Sequence, residues 1–177
     1  MKNWKRVFYG LHPHLLAWIW SALLILQVVL AFFVLQQPRI EALMIAGWVL
    51  WTLGVVFAIV PIFAFRTRGK VPEGKSYMET TALVDTGLYA IVRHPQAGTA
   101  GILFHLALPF IGQHWLLIVL SVVGIVLIYA DTFKSDVACI EKFGEEYARY
   151  MERVPRVSFV AGLLRLVSRP KTGGTDG

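Results

Sequence analysis

Between Leu83 and Gly101 the chain places Arg93, His94 and Gln96 directly against the start of an apolar run. The planar fork of an arginine pairs a carboxylate bidentately, so Arg93 suits an acidic group on a cofactor or a substrate; as a flanking cation it would serve equally as a membrane anchor. Pro95 lacks the N–H that the first turn of a helix leaves unpaired anyway, which predicts a helix from Pro95 through Ile102 with Arg93 and His94 at its mouth. On that helix His94, Gly98, Gly101 and His105 follow at spacings of four, three and four and share one stripe. Small residues so spaced let another group come close, either a neighbouring helix or a bound cofactor. His105 falls inside the apolar run, where an ionisable side chain is either functional or a neutral imidazole bonded to another helix.

Other polar groups offer less. His12-Pro13-His14 has two imidazoles but no third ligand, so no metal is expected. Cys139 is the only cysteine, which excludes an intrachain disulfide and a cysteine-rich metal site. Glu145, Glu146, Arg149, Glu152 and Arg153 have the spacing of a salt-bridged surface helix.

The elements that must carry these groups are apolar. Of 177 residues, 56% are hydrophobic and 16% charged, and the apolar ones come in long blocks, which is the pattern of a membrane protein and not of a soluble domain. Spans are expected at about 15–36, 42–65, 95–111 and 115–130, the last two a hairpin around Gly112-Gln113-His114. Lys and Arg number three before the first block, one in the first loop, five between the second and third, none in the 112–114 turn and eight after the fourth. By the positive-inside rule this alternation places both termini and the 66–94 loop on the cytoplasmic side. The net charge of +6 is accounted for by these flanks, so no nucleic-acid partner is expected.

Beyond Ala130 the fourth helix is expected to leave the bilayer as an amphipathic helix, with Phe133, Val137 and Ile140 on one stripe and Asp131, Lys134 and Ser135 on another. Gly144 is a plausible stop, Glu145 to Glu152 a second short helix, and Pro155 its limit. Ala161 to Val167 has the composition of an interfacial segment. The tail, 170–177, is expected to be disordered. One all-α integral-membrane domain results, with about four transmembrane helices and a cytoplasmic helical extension.

The order of features, LVDTGLYAIVRHP at 83–95, an apolar hairpin, then Asp136 before FGEEYARYMERVPR at 143–156, resembles the isoprenylcysteine carboxyl methyltransferase-like family, a branch of the integral-membrane methyltransferases that also holds phospholipid N-methyltransferases. The resemblance implies S-adenosylmethionine as methyl donor, held between segments 83–101 and 131–156. It further implies a methyl acceptor that arrives from the lipid, a lipophilic small molecule or a lipid bearing a carboxylate, amine, thiol or hydroxyl. On this basis Arg93 and Asp136 are the expected catalytic residues. Tyr89, Arg93, His94, Gln96, Gly98, Gly101, Ser135 and Asp136 are the expected cofactor contacts, with Asp136 suited to the donor's ammonium group. Where the family carries an aromatic residue two positions after its RHP, this chain has Ala97; where it carries a Glu pair, this chain has Ser135-Asp136. A non-catalytic membrane scaffold of the same fold, binding lipid or a protein partner, is the contrary expectation, and oligomeric state is not legible.

Overall fold

Helices form along the apolar blocks and their flanks, and run through the internal Pro61 and Pro109. A computed structural model describes residues 14–35, 38–76 and 78–168; the expected disordered tail, His12 and the residues before it lie outside these. In chain order the elements are α1 (Leu15–Val29), continued by a wider π-helical turn at Leu30–Val34, then α2 (Glu41–Arg68) and the short α3 (Leu88–Ile91). A second π-helical turn at Pro95–Ala100 leads into α4 (Gly101–Gly112), followed by α5 (Trp115–Phe143), α6 (Glu145–Arg153) and α7 (Phe159–Val167). No strand occurs among the described residues.

Among the described residues three helices, Leu15–Val34, Glu41–Arg68 and Trp115–Phe143, are long and apolar enough to cross a membrane, one fewer than the four expected. The exception is the block at 95–111. Its α-helix has only 12 residues, about 18 Å at 1.5 Å per residue against a hydrocarbon core of about 30 Å. The first six residues are instead wound as a π-turn, in which the Thr99 N–H reaches back to the His94 carbonyl at 2.9 Å. Leu103, His105, Ala107, Leu108 and Ile111 of α4 are buried. The other helices enclose most of this segment, while Leu106 and Phe110 stay exposed on its outer side.

Glycines set the helix distances. A Cβ on Gly47 would lie 2.7 Å from the Ile111 side chain and one on Gly54 2.7 Å from Phe104, so α2 runs antiparallel against α4 at close range. Contacts of Trp20 with Asp131 and of Gln27 with Leu117 and Ser121 make α1 antiparallel to α5. Segments 66–94 and 131–168 therefore gather at one end of the bundle, and 38–40 with 113–114 at the other. There the Gln113 amide accepts from the Ile40 N–H and donates to its carbonyl, both at 2.8 Å.

Midway through the bundle a polar knot joins three helices. His105 Nδ1 bonds to Gln27 Oε1, Gln27 Nε2 donates to Ser121 Oγ at 2.8 Å and to the Leu117 carbonyl at 2.9 Å, and Ser121 Oγ donates back to the His105 carbonyl. All three side chains are buried. Gly124 makes room for the imidazole, since a Cβ there would fall 2.3 Å from His105 Cε1. His105 is thus hydrogen-bonded to another helix.

α5 stays helical well past its apolar part. Its inward stripe is Ile128, Thr132 and Asp136, at spacings of four. Neither expected stripe matches it: Phe133, Val137 and Ile140 are only part-buried. The carboxylate turns inward because the protein supplies it with four donors.

Candidate functional site

Asp136 is the centre of the end of the bundle that collects the basic segments. Its Oδ1 accepts from His94 Nε2 at 2.7 Å, from the Tyr147 hydroxyl at 2.7 Å and from Arg93 Nη1 at 3.1 Å, and its Oδ2 accepts from Arg156 Nε at 2.9 Å. The side chain is 4% exposed. A carboxylate with two guanidinium partners is an acceptor only, so His94 Nε2 must carry a proton toward it. Two guanidinium groups on one carboxylate also leave a local surplus of positive charge. Arg156 spreads part of this over the Phe133 ring, whose centroid lies 3.5 Å from its guanidinium carbon.

Short backbone pairings hold these groups in place. His94 precedes a proline and is kept out of the helical region. The extended pair 93–94 lies along 155–156, with Arg93 N–H to the Pro155 carbonyl at 2.9 Å and His94 N–H to the Arg156 carbonyl at 3.0 Å. Thr99 Oγ1 adds a bond to the Val157 carbonyl at 2.9 Å. On α6, Tyr150 donates to the Tyr89 carbonyl at 2.6 Å. Burial pushes the Tyr147 and Tyr150 phenols above the usual tyrosine range, so both remain protonated donors at physiological pH.

A cavity of about 250 Å³ opens beside this cluster, between the end of α2, α3, the turn at Pro95, the last turns of α5 and the inner face of α6. Tyr89, Arg93, His94, Gln96 and Ser135 of the expected contacts line it, together with Ala97. Phe65 and Tyr89 stack on its wall, ring centroids 5.0 Å apart. Arg93 Nε is buried with no hydrogen-bond partner. A guanidinium spent on one side only is a ready partner for an anionic group.

Three expected contacts sit elsewhere. Asp136 is behind the wall, with both oxygens taken up by the protein's own donors. Gly98 faces Val157, His94 and Thr132, and Gly101 faces Ile128 and Trp20, so the glycine stripe packs against protein. Conversely, Tyr147, Cys139 and Phe143 line the cavity and are not among the expected cofactor contacts. Tyr147, Tyr150 and Val154 are the buried positions of α6 and its end. Their spacing of three and four within a charged helix was the available signal. The surface pairs of that helix are loose, Arg149 to Glu145 at 3.7 Å and Arg153 to Asp85 at 3.9 Å.

The chain matches no protein-family model, no curated protein and no solved structure.

Proposed function

We propose that this chain is a membrane methyltransferase that takes S-adenosylmethionine as donor and a lipophilic acceptor from the bilayer. The observation that carries the proposal is the cavity of about 250 Å³ to which segments 83–101 and 131–150 both contribute, with Arg93, His94, Gln96 and Ser135 on its wall. The residues present fit two parts of such a donor. The unpartnered Arg93 Nε and the positive surplus around Asp136 suit a carboxylate, and the Phe65–Tyr89 stack suits a purine ring.

Bound there, the donor would supply an electrophilic methyl group. This chain's residues then have to orient, desolvate and manage one proton. Alignment in a dry site provides much of the rate for a direct displacement. A carboxylate acceptor needs no base. An amine, thiol or hydroxyl acceptor must lose a proton, and His94, with Nε2 turned to Asp136, has Nδ1 left to take it.

Calorimetric titration of S-adenosylmethionine into the detergent-purified chain tests this. We expect saturable binding, weakened ~10- to 150-fold in Arg93→Lys, which keeps the charge and loses the fork. Absence of binding to the wild-type chain would favour a lipid- or partner-binding scaffold. One observation speaks for that second reading: Asp136, the carboxylate expected to hold the donor's ammonium group, is already saturated.

The basic character of 66–94 and 131–168 supports a cytoplasmic location for the cavity end, in a cytoplasmic membrane. With Cys139 replaced by Ser, a cysteine at Gln113 should react with an impermeant maleimide added outside intact cells. Reaction only after lysis would reverse the orientation.

A further inference from the structure

α6 and α7 have the same length, nine residues each, and opposite surfaces. The outer face of α6 carries Glu145, Glu146, Arg149, Glu152 and Arg153, as a helix in water does. α7 has one charged residue, Arg165, and it points inward, donating to the Ala90 carbonyl at 2.6 Å. Gly162 presses on the same segment, where a Cβ would fall 1.9 Å from the Ile91 oxygen. What α7 turns outward is Val160, Leu163, Leu164 and Val167, which are 54%, 45%, 63% and 84% exposed. Their spacing of three, one and three makes a continuous apolar stripe.

The depth of this helix follows from its first residue. Phe159 packs on Phe57 of α2, ring centroids 5.4 Å apart and planes tilted by 47°. Phe57 lies eight residues before Phe65, where the apolar run of α2 gives way to Arg66 and Arg68. At 1.5 Å per residue that is about 12 Å inside the apolar layer. α7 is only about 13 Å long, and its later contacts, Ala90 and Ile91, are beside Tyr89, which stacks on Phe65. The helix therefore begins at the level of the hydrocarbon and ends near the level of the basic flank.

We infer that α7 is embedded in the cytoplasm-side leaflet of the bilayer, its outer stripe against acyl chains and its inner face clamped to Ala90 and Ile91 behind the cavity wall. α2, against which Phe159 packs, has an exposed apolar face of its own, formed by Leu53, Val56, Val60 and Phe63. This inference is independent of the methyl-transfer proposal, because the embedding rests on depth and surface composition; the side of the bilayer rests on the orientation proposed above.

Site-directed spin labelling of the full chain in phosphatidylcholine liposomes tests it. On a Cys139→Ser background, nitroxides are placed through Leu164→Cys and, separately, Val167→Cys. Val126→Cys on the lipid-exposed face of α5 and Arg149→Cys on α6 serve as references; these two positions are exposed. Collision rates are measured with oxygen, which concentrates in lipid, and with a neutral nickel chelate, which stays in water. The expected result is that labels at 164 and 167 follow the one at 126, favouring oxygen several-fold, while the label at 149 favours nickel. Nickel access at 164 and 167 equal to that at 149 would put the stripe in water and overturn the inference. Shielding from both reagents would overturn it as well, since the stripe would then be covered by protein, such as a second copy of the chain.

Discussion

His94 Nε2 lies 2.7 Å from Asp136 Oδ1, so the mouth of the turn at Pro95 and the far end of α5 are joined through one carboxylate oxygen. Because Arg93, Tyr147 and Arg156 share that carboxylate, it ties four chain segments into one wall.

Removing its charge should damage the fold before it damages any binding step. Asp136→Asn leaves two guanidinium groups without their counter-ion in a site that is almost dry, and breaking a buried pair by one partner costs about 3–5 kcal/mol. Asp136→Glu should also destabilise, since the added methylene has no room among four donors already at bonding distance. Thermal unfolding in one detergent decides the matter. An Asp136→Asn protein as stable as wild type would show the cluster to be dispensable.

Cys139 offers a direct view of the cavity. It is the only cysteine and stands on the cavity wall beside Tyr147. A small maleimide should therefore label the chain once, and S-adenosylmethionine at saturating concentration should slow that labelling. Mass spectrometry over a time course gives both rates. Labelling unaffected by the donor would place donor binding, if any, somewhere other than this cavity.

The polar knot in the middle of the bundle should respond to crowding more than to loss of a bond. Gly124→Ala forces a methyl group into the His105 ring, and overpacking of this kind costs about 1–3 kcal/mol. Ser121→Ala removes two interhelical hydrogen bonds, from Gln27 and to the His105 carbonyl, each worth only about 0.6 kcal/mol on average between membrane helices. Unfolding midpoints of the two variants should rank Gly124→Ala as the less stable. The opposite order would mean that α5 shifts freely away from α4.

Alkaline pH should loosen the α6 docking. Burial raises the Tyr147 and Tyr150 phenols in the folded chain. As pH rises past about 10, the unfolded chain gives up those protons first. Stability from these groups is thus complete below about pH 10 and falls above it, by up to about 1.4 kcal/mol per pH unit for each phenol. Tyr150→Phe should make the decline shallower when unfolding is followed between about pH 8 and pH 11. A decline as steep as in wild type would show that Tyr150 is not held in its protonated form.

The helical class, the three long apolar helices and the clustering of cations around them were legible in the sequence, because block length and charge placement are local properties that water and lipid sort without reference to the rest of the chain. Gly144 as a helix stop and the short helix up to Pro155 were legible for the same reason: the backbone preferences of Gly and Pro act within a few residues. The nature of the block at 95–111 was not. A helix enclosed by other helices and one surrounded by lipid are both uniformly apolar, and only the packing of α2 and α5 on either side of α4 tells them apart.

The candidate site divides along the same line. Arg93 and His94 announced themselves by standing at a helix mouth, and both reach the cavity wall. Asp136 announced itself as a carboxylate but not its role, which depends on Tyr147 and Arg156 arriving 11 and 20 residues later to occupy its oxygens. Periodicity can state which residues share a face. Which face turns inward at Asp136 is decided by where its hydrogen-bond donors end up, and those come from segments that meet only when the helices pack.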